Sequence, residues 1–362
     1  FDAGFYKLDS IKAFDSLLKR NGILAKRDFP SQNSNVYDDD AHGMYVLSLI
    51  SGYVKDSLTG TAPDANFVLA RTEIVSSETH MEEFYWIKAM EWADSIGVDI
   101  IHSSLGYSNF DTLQGNYTYQ DMDGESTIIT RAAQMAYQKG IFITNSAGNE
   151  GAKKWRYITA PCDGKDVLCI GAVDSFRNHA KFSSFGPSAD GRVKPDVVAM
   201  GHNVTIIGAN NNMRRGSGTS FSGPIMAGFV ACLKQAFPTV SNKVMLDAIR
   251  QSGHLYKTPN DSLGYGIPNI LRADSILRKK LRLNQVQQQA SISLSPNPAE
   301  NEIFINCPNP IQLVAISDLN GQIVKTEGSS KVLYIQNLNP GIYYVQIVTQ
   351  EGKKYYQKFI KL

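Results

Sequence analysis

The stretch Gly216–Leu233, GSGTSFSGPIMAGFVACL, runs from a glycine-rich turn through a hydroxyl into an apolar helical pattern. Ser220 falls at or near the start of that helix, where free backbone N–H groups and the helix dipole favour developing negative charge. Pro224 suits the first turn, where no N–H partner is lost, and Ala227 and Gly228 permit close packing. On the cap pattern alone Ser220 is an N-cap and the glycines merely shape a turn. The chemical alternative is a nucleophile whose attack creates an oxyanion. Such a serine needs a base, and the base needs an orienting carboxylate. His42, in Ala41-His42-Gly43-Met44, opens the apolar run Tyr45–Ile50 and by itself reads as a structural histidine. Asp2-Ala3-Gly4 by itself is a turn, and Asp38, Asp39 and Asp40 form a loop of consecutive carboxylates just before His42. That loop could hold a cation, but no Asp/Asn/Gly calcium-loop pattern accompanies it. Asn145–Gly151, NSAGNEG, follows the apolar run Ile141–Ile143 and alone also reads as a turn.

The elements that must position these residues are an alternation of helices and short β-rich runs. Helical periodicity marks Met81–Ile96, Thr127–Lys139, Ser220–Phe237, Asn242–Gln251 and Ile270–Leu281. Between them lie Asn66–Ala70, Val98–His102, Ile141–Ser146, Val167–Val173 and Val197–Val198, several almost wholly apolar, as parallel strands covered on both faces are. The expected fold is α/β, a three-layer α/β/α domain around a central parallel sheet. From about residue 282 the character changes. Residues 283–291 are polar and Gln-rich and read as a linker. Beyond it come short alternating runs: Glu302–Asn306, Leu313–Ser317, Gln322–Lys325, Val332–Ile335, Ile342–Val348 and Tyr355–Ile360. Asn320-Gly321, Pro340-Gly341 and Glu351-Gly352 mark turns between them. The expected domains are therefore 1–282, a linker at 283–291, and a small all-β sandwich at 292–362.

Taken together the motifs resemble those of the subtilisin-like serine proteases, the subtilase family, over roughly residues 1–280. Gly218-Thr219-Ser220 followed by Ser222 and Pro224 resembles the family's nucleophile motif. His42-Gly43-Met44-Tyr45-Val46 resembles its histidine motif, with Met44 where threonine is usual. Asp2-Ala3-Gly4 resembles the aspartate motif that ends the family's first strand, with Ala3 in the middle position and that strand cut short. The resemblance implies that Asp2, His42 and Ser220 form a catalytic triad, with the Asp38–Asp40 loop ranked below Asp2. Ala147-Gly148-Asn149-Glu150-Gly151 resembles the oxyanion-hole motif, which makes Asn149 the side-chain donor beside the Ser220 N–H. Ser104-Leu105-Gly106 resembles the segment that pairs with the substrate backbone by strand addition. Ala180–Pro195, with Asp196–Ala199 after it, also resembles family sequence and carries no chemistry. The resemblance implies an endopeptidase acting on polypeptides without an organic cofactor. Structural calcium is common among relatives, and no site for it is assigned here.

The tail has its own resemblance. Ser293–Ala299, Asp318-Leu319-Asn320-Gly321, Pro340–Tyr343 and the basic end Lys358–Leu362 resemble a type IX secretion C-terminal sorting domain of Gram-negative bacteria. That implies a secreted or cell-surface protein whose partner is the type IX secretion machinery. Competing readings are a glycan- or protein-binding sandwich making the chain a surface adhesin, or a catalytically inactive subtilase-like peptide binder. Composition fits an ordinary globular chain: 362 residues, 43% hydrophobic, 19% charged, net charge +2. Nothing in it favours nucleic acid or an anionic membrane, and the apolar run Ile225–Leu233 is too short for a transmembrane segment. No basic-then-apolar signal opens the chain, which leaves a leader or propeptide before Phe1 open. Of four cysteines, Cys162 and Cys169 are close enough in sequence for a bridge or for two free thiols, Cys232 reads as a buried small hydrophobe, and Cys307 lies in the tail.

Overall fold

The computed structural model of the chain describes residues 1–112, 115–290 and 292–362, with the backbone alone described over 282–290. It forms two compact units, Phe1–Leu277 and Arg278–Leu362. The first begins with α1 (Asp15–Lys19), β1 (Ile23–Asp28), α2 (His42–Ser51) and the short pair β2 (Tyr53–Val54) and β3 (Leu58–Thr59). Then follow β4 (Phe67–Arg71), α3 (His80–Ile96), β5 (Ile100–Ser103), α4 (Ile128–Gln138), β6 (Phe142–Ser146), β7 (Val167–Val173) and β8 (Val197–Met200). The hairpin β9 (Val204–Ile207) and β10 (Met213–Gly216) leads to α5 (Thr219–Ala236), α6 (Asn242–Ser252) and α7 (Ile270–Ala290).

A parallel sheet in the order β5-β6-β7-β8 carries the site. Its middle strands are apolar because both faces are covered: every residue of β7 is buried. On one face α3 and α4 bring Trp86, Met90, Ile129 and Ala133 against Ile101, Ile143 and Val167. On the other, α5 lies across β5 to β8 and α2 packs on α5. Small residues let α5 come close: a Cβ on Gly223 would sit 2.7 Å from His102 Cε1 and 2.8 Å from Ser146 Oγ. The three-layer α/β/α architecture is thus as the apolar periodicity predicts. Thr79 and Glu82 close a capping box at the start of α3, which explains why its first turn tolerates a buried glutamate.

A second parallel pair, β1-β4, stands beside this sheet. Its end is fixed by an ion pair that sequence patterning does not expose. Arg71 donates to both oxygens of Asp28 at 3.1 and 3.0 Å, with both side chains buried. The same guanidinium meets Asp39 at 3.3 Å and donates through Nε to the Ala3 carbonyl.

One expectation, the burial of Cys232, is corrected here, and two segments gain detail. The polar stretch read as a linker is helical through Ala290, because nothing in it breaks a helix and α7 simply continues; residue 291 lies outside the described residues. Cys232 is only partly buried, its Sγ against the Thr61 carbonyl. The Asp38–Asp40 loop is tied to the fold: Asp40 accepts the His42 N–H at 2.6 Å and Asp39 faces Arg71. Cys162 and Cys169 are joined in a disulfide, buried with Ala147 and Ile158 beneath the Asn149 loop.

The second unit is all β. A three-stranded sheet holds β11 (Ser293–Ser295), β12 (Glu302–Asn306) and β15 (Val332–Tyr334). A four-stranded sheet holds β13 (Ile311–Ser317), β14 (Ile323–Glu327), β16 (Gly341–Thr349) and β17 (Lys354–Lys361). Alternate residues of the two sheets, among them Ile303, Leu333, Val314, Val345, Ile347 and Phe359, meet in one core. Gly321 and Gly352 supply the positive φ of its two hairpin turns, 83° and 78°.

Replacing Arg71 by alanine leaves Asp28 buried without its partner, so a loss of about 3–5 kcal/mol is expected in urea unfolding. A loss below about 1 kcal/mol would mean that the pair does not hold β1 to β4.

Candidate active site

Asp2 sits between the two parallel sheets. It makes an isolated parallel bridge to Arg71, its N–H donating to Ala70 O at 3.1 Å and its carbonyl accepting from Thr72 at 3.0 Å. On the other side the Phe1 amino nitrogen donates to His102 O at 2.8 Å. The carboxylate is thereby held at 4% exposure. Its Oδ1 accepts the Ala3 N–H at 2.8 Å and lies 2.7 Å from His42 Nδ1.

His42 opens α2, and Gly43 explains how that helix reaches Asp2. A Cβ at Gly43 would stand 2.5 Å from Gly4 O and 2.9 Å from Asp2 Cβ, so only glycine allows the approach. Met44, buried with Phe5, Leu8 and Phe14, fills the core under the helix start. Burial alone would lower the imidazole pKa. The Asp2 carboxylate, by charge and by hydrogen bond, and then Asp40 and Glu73, outweigh it and leave the pKa above the ordinary 6.5.

Ser220 is the second residue of α5, half-buried, and the ring of Phe221 beside it lies 6.2 Å from that of His42. The helix starts at Thr219, which corrects the expected role of Pro224. It stands in the second turn, and its missing N–H deprives the Ser220 carbonyl of its usual donor four residues on. Ser104 Oγ takes that place, donating to Ser220 O at 3.2 Å. His102 Nε2 lies 2.9 Å from the same hydroxyl, and burial brings the His102 pKa down to about 3, so the ring is neutral. His102 carries no sequence motif of its own, and Ser104 was singled out only for its backbone; the tie of its hydroxyl to Ser220 could have been read only from the gap opposite Pro224.

The Ser220 hydroxyl donates to Ser104 O at 3.4 Å, and among the described residues no hydrogen bond joins it to His42. The structure therefore brings Asp2 and His42 into direct contact and sets Ser220 on the adjacent helix. A loose nucleophile–base contact is common before substrate arrives. Asn149 is fixed by its own oxygen, which accepts Thr219 N–H at 2.9 Å and Thr219 Oγ1–H at 3.1 Å. Among the described residues no hydrogen bond engages its amide N–H groups, which stand at the foot of α5. Ser104, Leu105 and Gly106 continue β5 past its pairing with β6, at the edge of the sheet. Asn145 holds the Leu105 carbonyl at 2.9 Å, and Gly106 is packed so tightly that a Cβ would meet Thr159 Oγ1 at 2.0 Å. The segment Asn109–Glu125, of which 113–114 lie outside the described residues, packs inward. Phe110 and Met122 enter the core, and the Tyr117 hydroxyl donates to the buried Glu83 at 2.9 Å.

The subtilase family model matches residues 18–266, which takes in His42, Asn149 and Ser220 but not Asp2. The model of the secretion system C-terminal sorting domain matches residues 293–362. The chain is 28% identical to Subtilisin DY of Bacillus licheniformis over 60% of its own length and 72% of that protein's. It is 25% identical to Serine protease AprX of Bacillus subtilis (strain 168), over 70% of this chain and 62% of that one. It is 28% identical to the human Membrane-bound transcription factor site-1 protease, of which it spans only 24%. Among solved structures, a cold adapted subtilisin-like serine proteinase superposes with a TM-score of 0.56 at 20% identity, covering 74% of this chain and 88% of that one. The Prenylagaramide maturation protease PagA gives 0.57 at 22% identity, covering 76% and 91%. These structures share the fold.

Titrating His42 by NMR in a Ser220→Ala protein should give a pKa above 6.5, falling when Asp2 is changed to asparagine. An unmoved value would separate the two side chains. Ser104→Ala should cost about 1 kcal/mol in thermal unfolding by leaving the Ser220 carbonyl unpaired.

Proposed function

The chain belongs to the subtilase family of serine endopeptidases, and we propose that it cleaves internal peptide bonds with Ser220 as nucleophile, His42 as base and Asp2 as the carboxylate that orients the base. The observation that carries this reading is the 2.7 Å contact between Asp2 Oδ1 and His42 Nδ1 at the start of a helix packed on α5. That contact leaves Nε2 of His42 as the proton acceptor. A polypeptide adds to the edge at Ser104–Gly106 through main-chain hydrogen bonds. Ser220 Oγ turns from the Ser104 carbonyl to the scissile carbon, and its proton passes to His42 Nε2. The oxyanion is met by an Asn149 amide N–H and the Ser220 N–H. Collapse of the tetrahedral intermediate returns the proton to the leaving amine and gives an acyl-enzyme. Water, deprotonated by the same imidazole, then releases the acid.

The matched sorting domain marks the protein for secretion. We further propose that residues 293–362 address it to the type IX machinery of a Gram-negative bacterium, for release or surface display. No described helix is long and apolar enough to cross a membrane.

A fluorophosphonate probe should label the protein, and Ser220→Ala should abolish the label. An unlabelled parent protein whose fold is intact would sink the protease reading. Asn149→Ala should lower kcat by about 10²–10³ and Asp2→Asn by about 10⁴. Because the base works only when neutral and its pKa is raised, kcat/KM should climb with pH through a value above 6.5. A bacterial reporter carrying residues 292–362 should leave cells with a type IX system and stay inside cells lacking one.

A further inference from the structure

Between β4 and α3, the loop from Thr72 to Thr79 forms one wall of a cavity of about 290 Å³. The opposite wall is Asp2, His42 and the segment Ser104–Gly106. Four carboxylates line it, Asp2, Glu73, Glu78 and Glu82, and no lysine or arginine does. Oxygens of the three glutamates lie within 4.8 Å of one another. A second observation points to a missing donor: Asp2, 4% exposed and itself part of the cavity lining, keeps Oδ2 buried without a hydrogen-bond partner among the described residues. Acceptors there exceed the donors that the protein itself supplies.

We propose that this cavity is a subsite for a lysine or arginine side chain of the polypeptide bound along Ser104–Gly106, its cationic head held by Glu73 and Glu78. The proposal rests on reading Ser104–Gly106 as the substrate edge of a protease. The division of labour among the carboxylates supports it. Glu82 is committed to the backbone, accepting from Ile74 N–H at 2.9 Å and Thr79 N–H at 2.7 Å. Glu73 uses Oε1 for the Tyr107 hydroxyl at 2.7 Å and the Thr72 hydroxyl at 2.9 Å, leaving Oε2. Glu78 has no hydrogen bond to its carboxylate among the described residues. With so many oxygens already spoken for, the cluster does not fit a calcium cage of six to eight oxygen ligands. Its volume and its apolar lining of Ile74, Val75 and Leu105 suit the alkyl stem of a long basic side chain instead. Burial first, and then the neighbouring carboxylates, push Glu73 up to about 7 and Glu78 up to about 8. An arriving cation removes that repulsion, which is the source of its selectivity.

The test uses the full chain and peptides that differ at one position, lysine against norleucine, with the position scanned along the peptide. At one position lysine should raise kcat/KM by about 10- to 100-fold, the worth of a charged hydrogen bond. That ratio should fall to within about threefold in Glu78→Gln and shrink in Glu73→Gln; taking the ratio cancels any general loss of activity. The same peptide pair is titrated calorimetrically into Ser220→Ala protein and into its Glu78→Gln double variant. Cleavage without lysine preference at any position overturns the subsite and leaves the protease reading standing. Absence of cleavage sinks that reading, and the subsite is then decided by binding alone. Tighter lysine-peptide binding that Glu78→Gln removes upholds it, and equal binding overturns it. Saturable calcium binding that Glu78→Gln abolishes, without peptide discrimination, overturns it in favour of an ion site.

Discussion

A carboxylate taken almost wholly out of water is unfavourable unless it finds partners, and here that constraint organises the whole cleft. Asp2 has one oxygen on the Ala3 N–H and the His42 ring, and its backbone is clamped to β4. Each clamp draws on another element. Arg71, which bridges Asp2, is itself held by the buried Asp28 of β1. His42 reaches Asp2 only because Gly43 has no side chain and because Asp40 accepts the backbone N–H at the helix start. The helix that carries Ser220, α5, then follows, packed on α2. Removing the contact between carboxylate and imidazole would leave these elements folded around a charge with no reason to be there.

Much of this was legible before any coordinates. The helices announced themselves because one face of each is apolar, and β7 because an unbroken apolar run of seven residues suits only a strand covered on both sides. His42, Asn149 and Ser220 were marked by motifs that resemble those of the subtilases; taken alone, each read as a structural histidine, a turn or a cap. What stayed hidden depends on partners distant in sequence. Nothing near Arg71 foretells Asp28, forty-three residues earlier. His102 looks like an ordinary strand residue, and the hold of the Ser104 hydroxyl on Ser220 shows only when α5 is laid over them. The glutamates of the 73–82 segment read as a polar loop and helix start, and only the fold turns them toward Asp2. The α7 extension was missed for the opposite reason: a Gln-rich run has good helix propensity and no apolar stripe, so periodicity is silent there.

The two units use their cores differently. The tail sandwich builds a small core from alternating residues on two sheets, and its chemistry-bearing residues are few. The larger unit spends buried space on polar groups, including Lys194 and Arg250 around Asp196. Such groups stabilise little on balance and are satisfied only in one arrangement, so they define geometry more than they add stability.

Pro224 has a consequence for how the cleft responds to what it holds. Because that residue cannot donate, the carbonyl of Ser220, the proposed nucleophile, is tied to Ser104, a residue of the segment along which we propose that an extended chain lies. On that reading one side chain belongs to two parts, the rim that would receive the polypeptide and the turn that carries Ser220. Ordering the rim narrows the freedom of the turn in the same event, so part of the entropy of aligning the attacking group is lost on docking rather than at the moment of reaction.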